Sequence, residues 1–244
     1  MIDSFSSPAP SSVGDNHLLA ALPKGDLELL GPWLENVTLA RGHVLARPGQ
    51  AIEDAYFPVS GMVSVVALMS EGLGAGVATI GNEGMAGLPI FLGAGSSPFH
   101  LMAQLTGDAL RIPAYRLEAA LRESTKLATL LTKYSQAVFV QTAQNAACNG
   151  LHPISKRGAR WLLSTHDRAE RRSFLLTQEF LAFMLGVTRQ SVGIAVAHLA
   201  DRGFIKYHRG EITVIDRPGL ESASCECYGI VRKEFVRLLG IARA

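Results

Sequence analysis

The side chains best suited to nucleic-acid chemistry lie in one short run of this chain, between Thr188 and His198. Arg189 and Gln190 can each form two parallel hydrogen bonds, the geometry with which arginine reads guanine and glutamine reads adenine. The hydroxyl of Ser191 is suited to a phosphate oxygen, as are the free amides at the start of a helix. This run therefore predicts contacts with the base edges and the backbone of a double helix.

Two short helices joined by a tight turn are predicted to present these side chains. The first spans residues 178–185 after Thr177, whose hydroxyl can accept a hydrogen bond from a free backbone amide as an N-cap. Gly186 suits the left-handed end of this helix. Thr188 then caps a second helix that runs to Asp201. The pattern is that of a helix–turn–helix, whose second helix enters the major groove.

The segment after this second helix predicts a small β-hairpin. Two apolar runs, residues 204–207 and 212–214, flank a turn at Arg209-Gly210. Short runs around a glycine-containing turn are typical of a hairpin. We therefore predict a two-stranded wing beside the helix–turn–helix.

The second helix has one apolar stripe and one polar face. Val192, Val196 and Leu199 recur at spacings of four and three, which predicts a buried stripe. An ordinary helical hairpin with a solvated polar face would show the same stripe, so the wing and the charge around it decide between the two interpretations. The predicted DNA contacts are Thr177, Thr188, Arg189, Gln190, Ser191, Ile194, His198, Lys206 and Arg209.

This C-terminal segment resembles the winged helix of the Crp/Fnr superfamily of bacterial transcription regulators. The residues that carry the resemblance are Thr188 to Gly193, His198-Leu199 and Gly203-Phe204-Ile205. In the family, the positions that match Arg189, Gln190 and Ile194 include the main base-reading side chains. Catabolite-activator-like members usually carry Glu and Arg where this chain has Gln190 and Ile194, so their operator sequence is not carried over. The resemblance implies double-stranded DNA, a second copy of the chain and RNA polymerase as partners.

Charge is distributed unevenly along the 244 residues. The net charge is only +2, but residues 1–150 hold 8 Lys and Arg against 12 Asp and Glu, whereas residues 151–244 hold 15 against 9. The basic half is therefore the one that contains the helix–turn–helix, as expected for a polyanion-binding domain.

Composition also argues against several other classes of protein. No apolar run reaches the length that spans a bilayer, and the N-terminus lacks the pattern of a secretory signal. Three cysteines, at positions 148, 225 and 227, do not make a disulfide framework. We therefore expect a cytoplasmic protein with no membrane partner.

The N-terminal part predicts a β-barrel or jelly roll. Between residues 37 and 113, short apolar runs alternate with turn signals such as Arg41-Gly42 and Ser60-Gly61. The resemblance implies a cyclic-nucleotide-binding-like barrel in this position. The expected fold is thus α+β, with a disordered tail (1–16), a jelly-roll barrel (17–123), a dimerisation helix (124–150) and a winged helix–turn–helix domain (151–244).

The barrel lacks the cation that a cyclic nucleotide would need. Members that bind one use amides of a short helix and an Arg-Ser pair, but Ser97-Pro98 stands near the expected place of that pair. No Lys or Arg occurs between Arg47 and Arg111. Gly84 and Gly87 could still expose amides, and Glu83 could reach a ribose hydroxyl. We therefore expect that cyclic AMP and cyclic GMP are not effectors, while gating by a cyclic nucleotide stays an alternative.

The long helix that follows the barrel is expected to form the dimer interface. Its apolar positions recur at helical spacing, which suits either packing on its own domain or pairing with a twin. The resemblance favours pairing, with a hinge at residues 150–153. The predicted stripe comprises Leu127, Leu130, Leu131, Tyr134, Ala137, Val138, Gln141, Asn145 and Cys148.

Neither an enzyme nor a metal protein is predicted. His43 and His100 are isolated, and no nucleophile or phosphate-binding motif is present. Cys225 and Cys227 offer only two neighbouring ligands, with Cys148 distant in sequence, so no metal or cofactor is expected. The expected function is a DNA-binding regulator; the alternative is a ligand-sensing or partner-binding barrel protein whose winged helix mediates protein contact.

Overall fold

The computed structural model describes residues 12–70, 72–169 and 171–241 of the chain. The helices of the N-terminal part are α1 (His17–Ala20), α2 (Lys24–Leu30), α3 (Leu88–Phe91) and α4 (Ala114–Glu123), with 3-10 turns at Val13–Asp15 and Gly31–Trp33. Its strands are β1 (Glu35–Leu39), β2 (Val44–Ala46), β3 (Asp54–Pro58), β4 (Met62–Leu68), β5 (Gly74–Ile80), β6 (His100–Leu105) and β7 (Gly107–Pro113). The C-terminal part contains α5 (Thr125–Leu151), α6 (Ile154–Ala169), β8 (Ser173–Leu175), α7 (Gln178–Leu185), α8 (Arg189–Asp201), β9 (Ile205–His208), β10 (Glu211–Val214), α9 (Arg217–Ala223) and α10 (Cys227–Leu239).

The N-terminal strands form two antiparallel sheets that face each other across one apolar core. One sheet has the order β2-β6-β4-β5 and the other β1-β7-β3. The predicted β-barrel is therefore confirmed. Gly107 begins β7, and a β-carbon at this position would overlap the backbone of Ser60 and Gly61.

The predicted disordered tail was placed too far into the chain. Residues 1–11 lie outside the described part, but Asn16 is fully buried. Its side chain caps α1 by accepting from the amide of Leu19, and it donates to the carbonyls of Pro58 and Gly84 at 2.8 and 3.0 Å. A buried side-chain amide with three hydrogen-bond partners fixes Asn16 to the barrel, so this residue is ordered.

The apolar stripe of the long helix α5 packs against its own barrel. Leu127, Leu131, Tyr134 and Ala137 are each at most 1% exposed and belong to the barrel core. The prediction that this stripe forms the dimer interface is therefore wrong for these residues. A second partner from the same chain is α10, whose Phe235 meets Tyr134 edge-on with ring centroids 6.5 Å apart.

A different face of α5 remains exposed. Phe139 is 67% exposed although it is a large apolar side chain. Thr132, Gln136, Ala143 and Ala146 are also exposed, and they flank it at spacings of three and four. This face, which we call the Phe139 face (Thr132, Gln136, Phe139, Ala143 and Ala146), has no partner among the described residues in the contacts of this single chain.

The helix α6 buries charged residues. Arg157 and Arg160 are 8% and 9% exposed. Arg157 donates to the carbonyl of Leu185 in α7, and Arg160 donates to Asn145 of α5 at 2.6 Å. The side chains of Arg157 and Arg160 therefore connect α6 to α7 and α5. The spacing of apolar residues along α6 does not predict these contacts.

The C-terminal segment after the wing contains two helices. It forms α9 and α10, separated by an extended break at Ser224. Among the described residues no single helix is long and apolar enough to cross a membrane, and only the bent pair α7–α8 reaches the required length and composition.

Candidate nucleic-acid interface

The two helices of the predicted motif begin and end where their caps predict. Thr177 accepts from the amide of Phe180, and Thr188 accepts from the amide of Ser191, both at 3.2 Å. Gly186 ends α7 with a φ of 62°, a conformation that costs glycine little. The chain turns through 109° between α7 and α8, within the range of a helix–turn–helix.

The core side of α8 fixes the rotation of this helix. Val192, Val196 and Leu199 are at most 3% exposed, as the sequence predicts. They pack in one cluster with apolar residues of α6, α7 and the C-terminal sheet. The opposite face must then point away from the protein, because successive turns of a helix repeat every 3.6 residues.

The outward face of α8 carries the predicted contact residues. Arg189, Gln190 and His198 are exposed, and Ile194 is 66% exposed. Ser191 is half-buried, and its hydroxyl lies 3.0 Å from that of Thr188. The face therefore combines donors, acceptors and one apolar side chain, which is the mixture that reads base edges and thymine methyl groups.

Arg189 makes an ion pair that the sequence analysis did not predict. Its Nη1 lies 2.8 Å from Oε1 of Glu179 in α7, and both side chains are more than half exposed. Such an exposed pair contributes little to stability. The ion pair does hold the Arg189 guanidinium beside the N-terminus of α8, where this helix meets α7.

The hairpin after α8 forms the predicted wing with one additional strand. β9 and β10 pair in antiparallel register from Glu211–His208 to Val214–Ile205. Arg209 and Gly210 both have positive φ values, 48° and 81°, which a two-residue hairpin turn requires. The wing has three strands rather than two, because the short strand β8 pairs with the other edge of β10.

The remaining predicted contact residues lie around this wing. Lys206 and Arg209 are exposed on it, so their charges can reach a phosphate backbone. Thr177 is half-buried beside the wing turn, because a β-carbon at Gly210 would lie 3.4 Å from its methyl carbon. Thr177 therefore fixes the wing against α7 in addition to capping that helix.

The barrel loop considered for a cyclic nucleotide is filled by the protein itself. Residues 83–87 are all buried, and a β-carbon at Gly84 would overlap the hydroxyl group of Tyr134. That hydroxyl donates to the carbonyl of Met85 at 3.1 Å, and the amide of Ala86 donates to the carbonyl of Tyr56 at 2.8 Å. Burial raises the pKa of Tyr134 well above its usual value, so this side chain stays a neutral donor.

Glu83 pairs with a residue of the C-terminal part instead of pointing to an open site. Its Oε1 lies 2.6 Å from Nη2 of Arg168 and also accepts from the amide of Gly81. Both side chains are at most 2% exposed. Burial acts to lower the pKa of Arg168, but the Glu83 carboxylate outweighs it and raises that pKa above its usual value. Arg168 lies near the end of α6.

The three cysteines come together, contrary to the expectation that Cys148 is remote from the other two. Cys148 Sγ lies 3.5 Å from Cys225 Sγ, and Cys227 Sγ lies 3.5 Å from Nδ1 of His152. All three thiols are free and buried. The cluster forms because α5 and α10 lie side by side and bring the end of one helix to the start of the other.

Family models and solved structures agree with this architecture. Residues 36–124 match the cyclic nucleotide-binding domain and residues 156–223 match the Crp-like helix-turn-helix domain. No curated protein matches the chain significantly. Among solved structures, FixK2 from Bradyrhizobium japonicum has a TM-score of 0.67 at 18% identity, covering 79% of this chain and 98% of its own.

Two further structures have the same fold at low identity. A Crp/Fnr-family transcriptional regulator from Thermus thermophilus has a TM-score of 0.63 at 20% identity, over 78% of this chain and 98% of its own. A global regulator of Xanthomonas campestris that responds to cyclic di-GMP has a TM-score of 0.64 at 15% identity, and the match covers 79% of this chain and 99% of that regulator.

A cyclic nucleotide-binding fold followed by a long helix and a winged helix–turn–helix defines a class of two-domain transcription regulators. Both family models fall on this chain in that order and on the matching elements. The protein belongs to the Crp/Fnr superfamily.

Proposed function

We propose that this protein is a homodimeric, sequence-specific DNA-binding regulator that works without cyclic AMP or cyclic GMP. The observation that carries the proposal is the outward face of α8, where Arg189, Gln190, Ile194 and His198 are exposed along the second helix of a helix–turn–helix. A second copy would place another α8 in the next major groove, about 34 Å away. The hinge at residues 150–153 would set that spacing, and RNA polymerase is the partner expected at the promoter.

The electrostatics of the C-terminal part support this proposal. Lys206 and Arg209 extend from the wing, and Arg171 and Arg172 are exposed before β8. These cations lie on the same part of the chain as α8. Positive charge of this kind supplies the phosphate contacts that orient a protein on DNA, while the α8 face supplies the base contacts.

The direct test is selection of a binding sequence from a random duplex library, followed by measurement of affinity at several salt concentrations. We expect a pseudo-palindromic site. The logarithm of the binding constant should fall linearly with the logarithm of the salt concentration, because phosphate contacts release counterions. A protein that enriches no sequence, or whose affinity for the enriched duplex does not depend on salt, would contradict the proposal. Binding to a protein partner only would support the alternative function.

The burial of the barrel loop at residues 83–87 supports the absence of gating by a cyclic nucleotide. A cyclic phosphodiester needs a partner for its charge, because its removal from water is costly without one. Arg111 is already paired with Glu35 and Asp54, at 2.5 and 3.7 Å, and Arg47 is exposed. Arg168 comes closest to the loop but is neutralised by Glu83.

Calorimetric titration tests this part of the proposal. We expect no saturable heat with cyclic AMP or cyclic GMP at sub-millimolar concentrations, and no change in affinity for the selected duplex. Micromolar binding that also strengthens DNA binding would restore a nucleotide-gated mechanism. The DNA selection described above is a separate readout, so its outcome does not depend on this one.

A further inference from the structure

The cysteine cluster lies at the junction between α5 and α10, away from the outward face of α8. Cys148 belongs to the last turns of α5 and His152 is the residue that caps this helix, four positions further along. Cys225 lies in the break before α10, and Cys227 is the first residue of that helix. The four ligand atoms, three Sγ and one ring nitrogen of His152, all lie within 4.8 Å of one another. We call these residues the Cys3His cluster.

The separations between these atoms fit the edges of a tetrahedron around one metal ion. With Zn–S bonds of about 2.3 Å and Zn–N bonds of about 2.0 Å, neighbouring ligands around zinc lie about 3.5–3.8 Å apart. Two of the pairs, Cys148–Cys225 and Cys227–His152, are each 3.5 Å apart, and the remaining pairs lie within 4.8 Å. An iron–sulfur cluster would spread its ligands around several metal and sulfide atoms, so the compact arrangement favours a single ion.

The groups around the cluster are those that usually support a metal site. Nε2 of His152 lies 3.3 Å from Oε1 of Glu226, while Nδ1 faces Cys227. A carboxylate on the far nitrogen of a histidine ligand fixes its ring and its tautomer. Gln144 donates to the Cys227 sulfur at 3.1 Å. Such hydrogen bonds stabilise a thiolate ligand.

The charge of the neighbourhood also suits a bound ion. Zinc with three thiolates and one neutral histidine has a net charge of about −1. Lys156 and the buried Arg157 lie in the first turn of α6, four and five positions after His152. Cations on one side of the cluster would therefore offset the charge of the complex.

We propose that Cys148, His152, Cys225 and Cys227 bind one Zn²⁺ ion per chain in a closed structural site. Four protein ligands complete a tetrahedron and leave no position for a substrate, which separates a structural from a catalytic zinc site. The ion would link the hinge end of α5 to the start of α10. This proposal does not depend on the proposed function, because metal binding is measured without DNA.

The metal content of the full-length protein provides the first test. We expect about one zinc per chain by mass spectrometry of elements in protein purified without added metal, and one equivalent of Co²⁺ bound after removal of zinc by a chelator. A thiolate-to-cobalt absorption band must come from this cluster, because the chain contains three cysteines and all three belong to it. Its intensity and the visible bands of tetrahedral Co²⁺ report the number of thiolates and the geometry.

Matched variants locate the site. Cys225→Ser and His152→Gln should each weaken Zn²⁺ binding at least tenfold in competition with a chromophoric chelator, whereas His100→Gln, a histidine of the barrel, should bind as the unchanged protein does. Circular dichroism checks that the variants fold. If Cys225→Ser does not fold, the cobalt spectrum of the unchanged protein decides the question.

Several outcomes would overturn the proposal. One is a folded protein that takes up neither Zn²⁺ nor Co²⁺, or whose cobalt spectrum lacks a thiolate band. Another is retention of full zinc affinity in both ligand variants. An iron-containing chromophore in the isolated protein, or a Cys148–Cys225 disulfide in protein kept under reductant, would also exclude the zinc site. A DNA-binding result of either sign leaves these tests unchanged.

Discussion

Arg189 is oriented in the free protein before any partner is bound. Glu179 holds its guanidinium at 2.8 Å, at the end of α8 where a base-reading side chain is needed. Because both side chains are more than half exposed, this pair is easily exchanged for a base edge. The wing residue Lys206 is exposed too, but it lies on β9 rather than on α8, so under the proposed function its charge would contact the phosphate backbone rather than a base.

This difference between two cations leads to a prediction at the scale of single residues. Arg189→Ala should weaken binding to the selected duplex by about 1–3 kcal/mol and relax the preference at one base position. Lys206→Ala should weaken all duplexes alike and reduce the salt slope by about one. Both are measured by fluorescence anisotropy on a panel of single-base variants.

An arginine far from α8 serves as the matched control. Arg122→Ala removes the same charge from an exposed position at the end of α4 and should leave both selectivity and affinity unchanged. Equal selectivity of Arg189→Ala and the unchanged protein would contradict the base-reading role.

At the scale of elements, the two faces of α5 have separate tasks. The buried stripe with Leu131 and Tyr134 belongs to the barrel core, so it is not available to a second chain. The Phe139 face repeats at spacings of three and four and combines one phenylalanine with small side chains, which lets two helices approach closely. We therefore assign the proposed dimer contact to this face.

A single substitution on this face tests the assignment. Phe139→Glu should give monomers in light scattering and lose tight binding to the selected duplex, because two charges would be buried without partners in the dimer. The fold should be retained, since Phe139 is 67% exposed in the single chain. Lys133→Glu, about 120° around the same helix, is the control and should stay dimeric. A dimeric Phe139→Glu protein would place the interface elsewhere.

Local signals in the sequence account for the helix–turn–helix, because each cap acts on its own helix. Thr177, Gly186 and Thr188 give the bounds of α7 and α8 correctly. Contacts between distant segments were not predictable in this way. The core stripe of α5 could have faced either its own barrel or a twin, and β8, with three residues, is too short to give a periodic signal. The Cys148–Cys225 contact joins residues 77 positions apart, which no spacing rule covers.

At the scale of the whole molecule, the barrel and the C-terminal part share a buried ion pair and an apolar contact. Glu83 and Arg168 lie on opposite sides of this boundary. Beside them, Phe183 and Met184 of α7 pack onto β5 at Gly74 and Gly76, where the absence of a β-carbon leaves room for the two side chains. The relative position of the two parts is therefore set by specific contacts.

Removal of one partner of the ion pair should uncouple the two parts. Glu83→Gln leaves the Arg168 charge buried and unpaired, which should cost about 3–5 kcal/mol. Replacement of both residues, as Glu83→Leu with Arg168→Met, should cost less, because no buried charge remains. Urea unfolding measures the free energy of each variant.

The two tryptophans report on each part separately. Trp33 lies beside the barrel and Trp161 lies in α6, so single-tryptophan versions made with Trp33→Phe or Trp161→Phe give one probe each. The two transitions should coincide in the otherwise unchanged protein and separate in Glu83→Gln. Coincident transitions in that variant would show that the ion pair is not what couples the parts.

The Tyr134 side chain occupies the space beside Gly84 and Met85 of the barrel loop, as an intramolecular ligand would. A tethered group has an effective concentration that neither dilution nor metabolism changes, so the loop is occupied in the same way under all growth conditions. A small molecule that entered this space would first have to displace the ring. Under the proposed function, occupancy of the operator would then change with the amount of this chain rather than with the level of a cyclic nucleotide.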